Sequence, residues 1–233
     1  MSYHPFTNVL EYIPKKYVGL SSKQLQDRSA VYAFKEGNCP NYAKEQLVEK
    51  IMGIIALNPS AWVICFIPAS TQSKHLRRYQ SLSYYLEDHL PCPVYTDGIE
   101  VAFDKDSGHL TGKTGNPTEN MRFNSSRFCG KKVILIDDVR TRGVTFEQTA
   151  DTMIALGASS VYGVFLAQTI HPNLPVDTSS RNRGGYYDDV INDILAEEAY
   201  EMELQNDLLA EEAYEIELEN ELLAEEALYY DFY

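Results

Sequence analysis

The sequence predicts an α/β fold, a parallel twisted sheet flanked by helices. Three short, largely apolar runs at 62–67, 133–136 and 160–167 are rich in β-branched and aromatic residues, as strands buried on both faces are. Small polar loops follow them, and two of these loops open onto segments of helical period, at 79–86 and 146–156. Gly157 closes the second segment, as a helix stop does.

Taken in order, residues 1–45 hold several turn signals and one amphipathic stretch at 21–34, carrying Leu25, Ala30, Val31 and Phe34. They read as a packed N-terminal cover. Residues 43–57 place Leu47, Ile51, Ile54 and Ile55 at helical spacing, with Pro59 as a stop, so a helix lies on one sheet face. The strand at 62–67 ends in Pro68-Ala69-Ser70-Thr71. The alternating Val94, Ile99, Val101 and Phe103 predict a strand pair within 93–103. Residues 104–127, rich in Gly, Asn, Ser and Thr, lack periodicity and read as a long loop. The last strand ends near His171-Pro172, where His171 reads as a turn residue.

The segment that carries chemistry is 133–145. Four apolar residues lead to Asp137 and Asp138, and then to Thr141, Arg142, Gly143, Val144 and Thr145 at the mouth of a helix. In open α/β sheets ligands sit beyond the carboxyl ends of the strands. A helix entry offers unpaired N–H groups and the positive end of the helix dipole, which suits a phosphate. Gly143 admits close approach, and Thr141 and Thr145 add hydroxyl donors. The two carboxylates accept hydrogen bonds, so they suit sugar hydroxyls, with Mg²⁺ held directly or indirectly. An anion site beside an acid pair fits a sugar phosphate.

These thirteen residues resemble the phosphoribosyl pyrophosphate (PRPP) motif of type I phosphoribosyltransferases: four hydrophobics, two acids and a small Thr/Gly loop. The resemblance implies that fold. It also implies that Asp137 and Asp138 are the catalytic acids, binding the ribose 2′- and 3′-hydroxyls and Mg²⁺, and that residues 141–145 hold the 5′-phosphate. Arg142 departs from the pattern, which more often has Thr or another small residue there. A bidentate contact with the phosphate and an intrusion on its site both remain open.

Ala69, Ser70 and Thr71, followed by Lys74, Arg77 and Arg78, form a strand-to-helix connection suited to gripping pyrophosphate. Pro68, Arg77, Arg78, Tyr79 and Gln80 resemble, more loosely, the corresponding segment of ComF-like phosphoribosyltransferases. In the family a mobile loop ahead of the PRPP strand closes over the reacting ribose. That role would fall to the loop at 104–127, with His109, Lys113 and Arg122 as its cations.

Charge divides the chain. The net charge is −14, yet all 20 Lys and Arg precede residue 184, whereas 188–233 hold 17 of the 34 acids. The body is therefore +3 and the tail −17. A polar, Gly-rich linker at 176–187 separates a domain at 1–183 from a tail at 184–233. In the tail, Leu-Ala-Glu-Glu-Ala recurs every 14 residues from Leu195, Leu209 and Leu223, which is two heptads. Ala, Leu and Glu predict a long helix. A heptad stripe with alternating Ala and Asn (Ala199, Asn206, Ala213) predicts a coiled coil. Four roles are open for it: self-association into an oligomer, docking to a basic protein, covering the domain's own cleft, and a solvated tail.

The four scattered cysteines have no C-x-x-C spacing, and no apolar run approaches membrane-spanning length. The N-terminus shows no signal pattern, so a reduced, cytoplasmic protein is expected. The acidic tail and the lack of a broad basic face argue against a nucleic-acid partner. What the resemblance implies is transfer of a phosphoribosyl group between pyrophosphate and a nitrogen nucleophile, a base or amine the sequence does not identify, with Mg²⁺ as cofactor. The alternative is a non-catalytic PRPP or nucleotide sensor, or a regulatory subunit acting through its tail.

Overall fold

The computed structural model describes residues 3–102 and 117–176, which belong to a unit spanning Met1–Asp177. The tail at 184–233 with its repeat, and His109 and Lys113, lie outside the described residues. Five parallel strands make one sheet in the order β1-β7-β6-β2-β3. They are β1 (Phe6–Tyr12), β2 (Trp62–Phe66), β3 (Val94–Tyr95), β6 (Lys132–Arg140) and β7 (Ser160–Thr169). Short strands β4 (Ile99–Val101) and β5 (Met121–Phe123) pair antiparallel in a separate ribbon.

Helices cover both faces: α1 (Ser22–Lys35), α2 (Asn41–Ile55) and α3 (Gln72–His89) on one, α4 (Val144–Ala155) on the other. Strand alternation sorts the side chains. Ile134 and Ile136 pack with Phe34 of α1, Ile51 of α2 and Tyr79 of α3. Val133 and Leu135 pack with Phe146, Ala150 and Met153 of α4. Because both faces of β6 are buried, its sequence carries no polar alternation until Asp137.

Several boundaries differ from the sequence expectation. β1 lies within a stretch read only as cover; it pairs along β7 and sends Phe6 and Leu10 to opposite cores. The expected pair within 93–103 is instead β3, in the main sheet, and β4, in the ribbon. The aperiodic segment 104–127 contains β5, where Arg122 lies opposite Glu100. α3 starts at Gln72 rather than Tyr79, because the Thr71 side chain accepts the Lys74 N–H at 3.2 Å and caps the helix. Lys74, Arg77 and Arg78 are therefore helical and not part of a connecting loop. β6 runs on through both acids to Arg140, because β7 stays in register beside it as far as Gln168.

Cys39, Cys65 and Cys92 are buried free thiols, and burial pushes Cys65 up to about 12, as a core residue requires. Among the described residues no helix is long and apolar enough to cross a membrane.

Candidate functional site

Parallel pairing brings the carboxyl ends of β2, β6 and β7 to one edge of the sheet. Backbone bonding from the Ile67 N–H to the Ile136 carbonyl (2.9 Å) holds the first two together past the end of β2. The loops after β6 and β7 are tied by the Thr141 and Thr169 hydroxyls, 3.0 Å apart. Residues 69–71 and 141–145 thus leave the same edge, as the sequence expectation requires, with Asp137 and Asp138 near the end of β6, the strand that leads into 141–145.

The acids are held by two consecutive residues of α3. An Nη1 of Arg78 donates to Asp138 Oδ2 at 2.9 Å, with the side chains only 10% and 14% exposed. The hydroxyl of the fully buried Tyr79 donates to Asp137 Oδ1 at 3.4 Å. Two backbone amides add to these contacts: the Asp138 N–H donates to Asp137 Oδ1 at 2.8 Å, and the Val139 N–H donates to Asp138 Oδ1 at 2.6 Å.

Electrostatics make the two acids unlike. Burial, and then the facing Asp138 carboxylate, hold Asp137 well above the ordinary carboxylate range. For Asp138, burial acts upward, but Arg78 and then Lys35 of α1 outweigh it and leave that acid below the ordinary range. The proton is therefore held more firmly on Asp137 than on Asp138, whose carboxylate is matched by the Arg78 guanidinium. Both acids present carboxyl oxygens that can accept from the hydroxyls of a diol.

Its fit to Mg²⁺ follows from the same contacts. Among the described residues, no three His, Cys, Asp or Glu side chains come together. Two carboxylates, one of them bonded to a guanidinium, suit a Mg²⁺ whose shell is completed by substrate oxygens and water, not a closed protein cage.

On the other side, Gly143 starts α4 in a left-handed conformation, φ +76°, with no side-chain cap, which leaves the first amides of the helix open. A Cβ at this position would lie 2.6 Å from an Nη of Arg140, so any side chain would have to push that guanidinium aside in addition to straining the positive φ. Arg140 is in turn fixed by the Phe6 ring, 3.8 Å from its Cζ, and lies 3.8 Å from Glu147 Oε1. Glu147 Oε2 accepts the His4 N–H at 3.1 Å, and His4 Nε2 meets Asp151 Oδ1 at 2.9 Å. Arg140, Phe6 and Glu147 were not singled out from the sequence. A cation three residues before the glycine of a phosphate-type loop was the available signal. Thr141, Arg142 and Val144 are exposed and Thr145 is half-buried, so Arg142 points outward from the protein body.

The expected diphosphate residues divide. Ser70 is exposed, Ala69 half-buried, and Thr71 is spent on capping α3. Arg77 reaches Glu36 Oε2 at 3.3 Å, near the surface. Arg78 turns inward to Asp138. His75, on the same buried face, meets the Thr96 carbonyl through Nε2 at 3.2 Å, while its buried Nδ1 has no hydrogen-bond partner. His171 meets the Tyr17 hydroxyl through Nδ1 at 3.3 Å, in keeping with a turn residue.

No protein-family model matches the chain. It is similar to a putative ribose-phosphate pyrophosphokinase 2 of Lactococcus lactis subsp. lactis (strain IL1403), 31% identical over 98 residues, which is 42% of this chain. The chain spans about a quarter of that relative's length (25%). Among solved structures it is similar to the allosteric regulatory enzyme of purine biosynthesis, at 15% identity and a TM-score of 0.42, covering 66% of this chain and 36% of that one. It is also similar to a hypoxanthine-guanine phosphoribosyltransferase (hpt-2) from Bacillus anthracis str. 'Ames Ancestor', at 16% identity and a TM-score of 0.33, covering 73% and 94%. A third is the Schistosoma mansoni hypoxanthine-guanine phosphoribosyltransferase in complex with IMP, at 14% identity and a TM-score of 0.32, covering 61% and 68%.

Proposed function

We propose that this domain binds PRPP with Mg²⁺ and transfers its phosphoribosyl group to a nitrogen nucleophile, in the manner of type I phosphoribosyltransferases of the ComF-like branch. One observation carries the reading. A half-buried acid pair, Asp137 and Asp138, stands six and five residues before Gly143, the left-handed residue that opens α4 just beyond one central strand. That arrangement supports a reading in which diol acceptors lie beside phosphate donors. The relative of L. lactis, named for ribose phosphate, supports the sugar-phosphate part.

In this reading the amides of 141–145 and the Thr hydroxyls hold the 5′-phosphate, and Asp137 and Asp138 hold the 2′- and 3′-hydroxyls. The amides of 69–71, with Lys74 and Arg77, face the diphosphate. The nucleophile's lone pair forms the C1–N bond as the C1–O bond breaks; pyrophosphate leaves with that electron pair and the nucleophile's proton passes to solvent. Mg²⁺, when bound, neutralises the diphosphate charge. The rate then comes from positioning and charge placement, with no covalent protein intermediate.

A second reading, a PRPP or nucleotide sensor, is favoured by one finding. Asp138 is already matched by Arg78, and the Arg140 guanidinium already lies over Gly143, so two of the site's cations are engaged within the protein. Incubating the protein with Mg²⁺, PRPP and a panel of bases and amines decides between the two. Pyrophosphate release that depends on one acceptor supports the enzyme, and saturable PRPP binding without release supports the sensor.

The acidic residues 188–233 are proposed to contact a second copy or a basic protein, in a cytoplasmic setting. Equal sedimentation of the whole chain and a chain ending at Arg183 would remove the second copy.

A further inference from the structure

We propose that Arg78 serves the ribose rather than the diphosphate: it is the positioning residue that holds Asp138 aimed at a ribosyl diol, while Arg77 beside it faces the diphosphate. This rests on the ribose-phosphate reading and assigns roles within it.

Helix geometry gives the first reason. Adjacent residues of an α-helix point about 100° apart, so Arg77 and Arg78 cannot close on one small anion together. The structure shows the split directly. Arg77 leaves α3 toward Glu36, in a pair whose side chains are 27% and 38% exposed, which an incoming phosphate can enter and exchange. Arg78 goes the other way, into the buried face of α3, and ends on Asp138.

The surroundings of Arg78 give the second reason. Its guanidinium lies 5.9 Å from the centre of the Tyr79 ring, and its Nε is enclosed without a hydrogen-bond partner. Moving it out to a diphosphate would strand the Asp138 charge beside Asp137 in a closed space. The charged groups acting on Asp138 are Arg78 of α3, Lys35 of α1 and Asp137 on its own strand. Arg78 makes a direct ion pair with it at 2.9 Å.

Tyr79 completes the arrangement. Two neighbouring residues of one helix take two neighbouring acids of one strand, Arg78 to Asp138 and Tyr79 to Asp137. The orientation of both carboxylates is thereby tied to the seating of α3, and α3 is capped by Thr71, at the end of the proposed diphosphate loop.

Titration calorimetry with three probes separates the roles: ribose 5-phosphate, which lacks the diphosphate; Mg·pyrophosphate, which lacks the ribose; and Mg·PRPP, which has both. Arg78→Met should weaken ribose 5-phosphate and PRPP alike, by roughly tenfold or more as outer-shell partners do at metal sites, and leave pyrophosphate within about twofold. Arg77→Met should show the reverse pattern. Arg78→Lys, which keeps a cation in the core, should fold and recover part of the ribose 5-phosphate affinity. If Arg78→Met does not fold, Arg78→Lys alone should still show a deficit confined to ribose-bearing probes. A deficit of either Arg78 variant in pyrophosphate and PRPP, with ribose 5-phosphate unchanged, overturns the assignment and leaves the ribose-phosphate reading standing. Wild-type protein that binds pyrophosphate but neither ribose-bearing probe overturns both.

Discussion

The Arg140 guanidinium lies 3.8 Å from the centre of the Phe6 ring, so the first strand of the chain clamps the turn at the end of the central one. Phe6 also meets Phe165 edge to face at 6.0 Å, which joins the clamp to the core beneath α4. Replacing Phe6 with Leu keeps the apolar volume and removes the stack. Stability should fall by about 1 kcal/mol, the usual worth of such a contact, as measured by urea unfolding. No change would show that Arg140 is held by Glu147 alone.

Gly143 carries a sharper constraint. Its φ of +76° disfavours any L side chain by ~1–2 kcal/mol, and an added Cβ would collide with the Arg140 guanidinium. Gly143→Ala should therefore lower stability by about 2 kcal/mol or more by thermal unfolding, and weaken ribose 5-phosphate binding. Wild-type stability in this variant would mean that the turn readily takes another conformation.

The Arg78–Asp138 pair should show the asymmetry of buried charges. Asp138→Leu strands Arg78 and should cost about 3–5 kcal/mol, whereas Arg78→Met together with Asp138→Leu should recover much of that loss. Additive effects in a double-mutant cycle would contradict the pairing.

His75 gives stability a pH dependence of known sign. Burial first, and Arg78 beside it, hold its folded pKa below the ordinary 6.5, against the opposing bond to the Thr96 carbonyl. The unfolded chain therefore takes up the proton first. This contribution is complete above pH 6.5 and declines as the pH falls from there toward the folded value. His75→Phe should flatten the unfolding free energy over that window, and an unchanged slope would assign the dependence elsewhere.

The sequence displayed the frame because buried parallel strands must be apolar on both faces, and the runs at 62–67, 133–136 and 160–167 are. It hid β1, whose Phe6 and Leu10 serve different cores across an edge strand broken by Asn8 and Glu11. The first turns of α3 were hidden for another reason: their buried face is His75 and Arg78, polar residues that break the apolar period. The same substitution of polar for apolar concealed the site's inner partners. Asp137, Asp138 and Gly143 could be picked out by local order, whereas the contacts from Arg78 and Tyr79 to the acids, and from Phe6 to Arg140, join residues far apart in the chain.

The central claim is that the end of β6 holds a ribose phosphate. Calorimetric titration of Mg·PRPP into the wild-type protein and into a variant carrying Asp137→Asn and Asp138→Asn tests it most directly. The account predicts saturable one-site binding to the wild type and at least a tenfold weaker affinity, about 1.4 kcal/mol, in the folded variant. Equal binding by the two proteins, or none by the wild type, would contradict it.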